Sequence, residues 1–75
     1  MNFEQYKFDE LDLELIFYVR DELMRKLENQ AKVNEALRTS GFLNLLEEEP
    51  IYVHHFDVRY WADHILSGFQ QNLAM

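Results

Sequence analysis

The side chains with the most capacity for chemistry fall close together: His54, His55 and Asp57, with His64 seven residues beyond the aspartate. Neutral imidazole and carboxylate together suit zinc or nickel, and Asp57 and His64 would share a face if both stood on one helix. The spacing argues against a shared site. Neighbours in an extended segment point to opposite faces, so His54 and His55 do not converge there. Asp57 is also placed to cap the helix that follows it. The three histidines therefore read as structural or surface residues, with a pH-sensitive contact as their remaining use.

A second set is Glu47, Glu48 and Glu49, directly before Pro50. General acid–base catalysis needs a carboxylate in a pocket with a displaced pKa. Three adjacent solvated acids are the opposite environment, and they read as an exposed turn able to meet a basic partner. Ser40 and Ser67 are the only serines, and neither lies in a nucleophile-elbow pattern. Two glycines do not make a phosphate-binding loop, and with no cysteine there is neither a disulfide nor a thiolate metal site. The chemistry expected is thus non-enzymatic, with no cofactor, no metal and no small-molecule substrate.

These residues are positioned by elements that the apolar spacing outlines. The strongest runs from Asp9 to about Gln30. On a helix of ~100° per residue, Leu11, Leu15, Ile16, Val19, Leu23 and Leu27 fall on one broad face, and Phe8 extends it. Asp9 is placed as N-cap. The acids Glu10, Asp12 and Glu14 lie at the positive end of the helix dipole, and Arg25 and Lys26 lie near its negative end. Asp21–Arg25 and Glu22–Lys26 are acid-first pairs four residues apart. Beyond Gln30 the helix either continues to Arg38 or breaks near Asn29, with Asn34 as a cap only if the second helix starts late. Gly41 is a clear stop. Phe42, Leu43, Leu45 and Leu46 read as a short helical turn, and 47–50 as a loop, because Pro50 biases Glu49 away from helix.

Two aromatic-rich stretches remain. Residues 2–8 hold Phe3, Tyr6 and Phe8, which suggest a docked arm or strand, and the β-favouring Ile51, Tyr52 and Val53 suggest an extended segment over 51–56. After Asp57 a last helix carries Val58, Trp61, Ala62, Ile65, Phe69 and Leu73 on one face, with Gly68 marking either close helix approach or fraying. The fold class expected is mainly α: one small domain over 1–75, built on a long central helix and a C-terminal helix. A short β pairing of residues 2–8 with 51–56 is the α+β alternative.

Charge and length bound the function. Fourteen acids against seven Lys and Arg give a formal charge of −7, which opposes nucleic-acid backbones and anionic membranes and favours basic protein surfaces. Thr39, Ser40 and Gly41 between helical pieces are compatible with a helix-turn-helix. A reading helix that offers Arg59 alone makes too few phosphate contacts, so direct nucleic-acid binding is disfavoured. No basic region precedes an apolar run near the start, and Leu15 to Val19 is too short to span a bilayer. A soluble cytoplasmic protein is the expectation. A chain of this size is marginally stable alone, and the central helix has apolar surface beyond its stripe.

Three functions follow. The leading one is a protein-interaction or regulatory protein acting as a homodimer through Leu13, Phe17, Tyr18 and Met24. An acidic inhibitor or nucleic-acid mimic would instead meet a basic protein through Glu10, Glu14, Asp21, Glu28, Glu47, Glu48 and Glu49. A structural accessory subunit is the third.

Overall fold

The computed structural model describes residues 6–73, with side chains through Phe69. Five helices follow one another among these residues: α1 (Glu10–Leu27), α2 (Gln30–Thr39), α3 (Phe42–Glu48), α4 (Pro50–His54) and α5 (Val58–Leu73). The mainly-α expectation holds. Residues 2–5 of the expected β pairing lie outside the described residues; over 6–8 there is no strand, and 51–54 are helical.

The start of α1 is held by a reciprocal capping box. Asp12 N–H donates to Asp9 Oδ1 at 2.8 Å, and Asp9 N–H donates to Asp12 Oδ2 at 3.2 Å, so two backbone donors that a helix start leaves open are satisfied. The far end breaks at Glu28, whose φ of 52° is left-handed. Asn29 is extended, and its side chain accepts the Lys32 N–H at 3.0 Å. The chain therefore breaks near Asn29 rather than continuing to Arg38. Asn29 is the cap, and Asn34 lies inside α2. The expected four-apart ion pairs are replaced by Glu22–Arg25 at 3.1 Å and Lys26–Asp63 at 3.8 Å. Both are exposed and contribute little to stability.

Gly41 takes φ 78° between α2 and α3, a conformation that glycine adopts without steric cost. The loop expected over 47–50 shrinks to Glu49, because Glu47 and Glu48 belong to α3 and Pro50 opens α4. The physical reason is that proline suits the first helical position. Its missing N–H would have had no partner there, and its φ is already helical. The extended segment expected over 51–56 is overturned by the same residue, with its helix-starting role outweighing the β preference of Ile51, Tyr52 and Val53. Asp57 caps α5 as expected, accepting the Tyr60 N–H at 2.8 Å. A side chain at Gly68 would meet nothing within 4 Å, so no close helix approach depends on it.

One apolar cluster joins all five helices. Ile16, Val19 and Leu23 of α1 meet Val33 and Leu37 of α2, Phe42 and Leu46 of α3, Val53 of α4, and Trp61 and Ile65 of α5, each nearly or wholly out of water. Tyr6 and Phe8 stack at 5.1 Å and rest partly buried against the cluster. The arm is pinned by the Lys7 N–H, which donates to Glu47 Oε2 at 2.8 Å. Trp61 is the hub of the aromatic side. Phe42, Phe56 and Tyr60 surround its ring with centroids 4.9–5.9 Å away, and its Nε1–H donates to the Val53 carbonyl at 2.8 Å in a buried bond.

Leu11 departs from the expected stripe. It is 67% exposed, while Asp12, next to it, is 6% exposed. The core face of α1 is centred about 100° round from Leu11, on the line through Asp12, Val19 and Leu23. Ile16→Ala is expected to cost about 2–5 kcal/mol of stability, as for other buried aliphatics, and Leu11→Ala to stay within about 0.5 kcal/mol. Urea unfolding midpoints check this, and equal losses at the two positions would refute the register of α1.

Candidate functional site

A buried carboxylate in an apolar stripe needs partners, because an unsatisfied charge away from water is costly. Asp12 has them on both oxygens. Its Oδ2 accepts the Asp9 N–H in the capping box, and its Oδ1 stands 2.6 Å from His54 Nε2. A carboxylate can only accept, so the shared proton sits on the imidazole nitrogen. This bond crosses 42 positions of sequence and ties the single outward turn of α4 to the first turn of α1. The His54 side chain is about one-third exposed at the surface end of the pair.

Around this pair the surface is concave and largely apolar. On one side of His54, a hollow of about 460 Å³ is lined by Asp9, Leu11, Asp12, Pro50, Ile51, His54 and His55. On the other, a smaller hollow of about 200 Å³ is lined by Leu11, Glu14, Leu15, Tyr18 and His54. The two share Leu11 and His54, so they form one furrow between α1 and α4. Its apolar parts are well in water: Ile51 is 89% exposed, Leu11 67% and Tyr18 53%.

The residues expected at an interface do not form one patch. Leu13 is half-buried against the core. Phe17 and Met24 lie two turns apart on one flank of α1, each about two-fifths exposed, and the Arg20 guanidinium stands 5.1 Å over the Phe17 ring. Tyr18 lies on the opposite flank, in the furrow. All seven acids expected at a basic-partner surface are exposed. Glu10, Glu14 and Asp21 line the outward side of α1, Glu28 ends that helix, and Glu47 receives the Lys7 N–H.

The histidine group is dispersed. His54 pairs with Asp12, Asp57 caps α5, His55 lies edge-on to Phe56 at 5.1 Å, and His64 lies parallel to Tyr60 at 6.1 Å. Among the described residues no three His, Asp or Glu side chains are placed to hold a metal ion. A further hollow of about 360 Å³ between α2 and α5 includes Thr39, Ser40, His64 and Ser67. Thr39 donates to the Glu35 carbonyl and Ser40 to the Leu37 carbonyl, and Ser40 also accepts the Phe42 N–H. Both hydroxyls bond to the backbone at helix ends. No described helix is long and apolar enough to cross a membrane.

The furrow residues Leu11, Asp12, Ile51 and His54 were not expected as a group. The sequence did hold a signal for one of them. Asp12 lies at the centre of the apolar stripe, where a charge calls for a buried partner. Its partner, distant in sequence, had no signal of its own.

A double-mutant cycle with Asp12→Ala and His54→Ala should give a coupling of about 1 kcal/mol in unfolding free energy. A coupling near zero would mean that the pair contributes nothing to holding α4 against α1.

Comparison of the chain with protein-family models, with curated proteins and with solved structures finds no match to any of them.

Proposed function

We propose that this chain is a small acidic protein-interaction protein without catalysis of its own, and that the furrow between α1 and α4 is its contact surface. The observation that carries the reading is the exposure of Ile51, Leu11 and Tyr18 around one concave surface, beside a core that closes without them. Large apolar side chains grouped in water mark contact sites more often than isolated ones do. Two of the three lie on elements whose other face is fully committed to the core, so folding alone gives no reason for their apolar character.

A homodimer through the Phe17–Met24 flank is the second reading. It is favoured by the shared exposure of two large side chains on one line of α1. Molar mass by light scattering on dilution tests it: a mass near twice that of the chain, reduced to one by Met24→Glu, supports that interface.

For the furrow, a photo-activatable cross-linking residue placed at position 51 should give discrete adducts in an extract of the cells that make the protein. The same residue at exposed Lys32, on the α2 surface, should not. Equal, diffuse labelling at both positions, or none at 51, would remove the furrow as a contact surface.

A further inference from the structure

The furrow has a charge character of its own. Residues 9–19 contain Asp9, Glu10, Asp12 and Glu14 and no Lys or Arg; residues 42–54 contain Glu47, Glu48 and Glu49 and again no Lys or Arg. These two stretches make the furrow's two walls and the α3 turn leading into one of them. They hold seven of the fourteen acids. The other seven acids are matched by the seven Lys and Arg elsewhere, so the whole formal charge of −7 belongs to these two stretches. The bond from the Lys7 N–H to Glu47 places the end of α3 beside the entry to α1, which brings the two acidic stretches to the same side of the molecule.

Building on the interaction role proposed above, we propose that the furrow docks a basic amphipathic helix of another protein. Its apolar face lies on Leu11, Tyr18 and Ile51, and its Lys and Arg side chains meet the acids of the rim. Leu11 and Tyr18 are seven residues apart on α1, about 10 Å along its axis, which matches the spacing of apolar side chains two turns apart on a docking helix. Asp12 is already paired with His54 inside the wall, so Asp9 and Glu14 are the acids that line the furrow itself, and Glu47, Glu48 and Glu49 stand in the chain directly before Pro50, which lines it. Charge also selects against a second copy of this chain. Two such furrows brought face to face would set one uncompensated acidic surface against another, a repulsion that basic side chains on a different protein turn into attraction.

The test uses the full chain and three synthetic helical peptides. The first has leucines on one face and lysines on the other, the second is its scramble of equal charge with no apolar face, and the third has glutamate in place of each lysine. Titrations are followed by backbone amide NMR shifts. The expected result is binding of the leucine–lysine peptide with shifts centred on Leu11, Tyr18, Ile51 and His54, and weakening as salt rises. Ile51→Ser, an exposed position whose change leaves the core intact, should weaken binding roughly tenfold, the loss expected when one aliphatic side chain no longer leaves water. Equal binding of the scramble, shifts centred elsewhere, or no binding would overturn the proposal. A self-associating protein that Ile51→Ser makes monomeric would also overturn it, while leaving the furrow a contact surface. Loss of the cross-link at position 51 would remove the interaction role itself, so the two failures are separable.

Discussion

Helix α4 has five residues, too few to be stable on their own, and everything about the furrow depends on where it lies. Its place is set chiefly by the indole of Trp61, whose N–H donates to the Val53 carbonyl inside the core. An indole N–H buried without an acceptor is costly, so the tryptophan constrains α4 as much as α4 shelters the tryptophan. The next residue, His54, turns the other way and reaches Asp12. Two consecutive residues thus fasten one turn of helix to α5 behind it and to α1 beside it. With Val53 inward and His54 on α1, Ile51 is left facing water.

The same geometry separates two uses of apolar surface that look alike in a sequence. Leu11 and Leu15 are both leucines on the same helix, one turn apart, and both touch the furrow, yet Leu11 stands mostly in water while Leu15 is buried in the core. What divides them is angle: Leu15 stands about 40° nearer the centre of the core face than Leu11 does. A charge with both oxygens bonded can sit on the centre line of that face, as Asp12 does. Aromatic rings pack densely around Trp61 on the far side of α4, whereas the α1–α4 side keeps an open, mostly apolar concavity.

Much of the architecture was legible in the chain. The long helix with its Asp9 cap, the stop at Gly41, the short apolar α3, the Asp57 cap and the Trp61 face of α5 each had a local cause, and local causes are what periodicity and capping residues report. The failures were of two physical kinds. Pro50 can close one helix or open the next, and the β preference of Ile51, Tyr52 and Val53 points the other way; here Pro50 opens α4, and the Val53 carbonyl meets the Trp61 indole, a partner eight residues on that local pattern does not report. The contact between Asp12 and His54 spans most of the chain and has no periodic signature. The furrow is made of one such contact and one such ambiguity, which is why its residues could be seen singly but not together.

The carboxylate of Asp12 has a double duty with a dynamic consequence. One oxygen closes the first turn of α1 and the other holds α4. Fraying of that turn would release His54, and lifting α4 would strip the cap partner of its second bond. The two walls of the furrow are therefore coupled through one carboxylate, so that a local opening of either weakens the other as a shared event. A guest lying across them would close that event from both sides at once, so occupancy would register as slowed exchange well beyond the residues it touches.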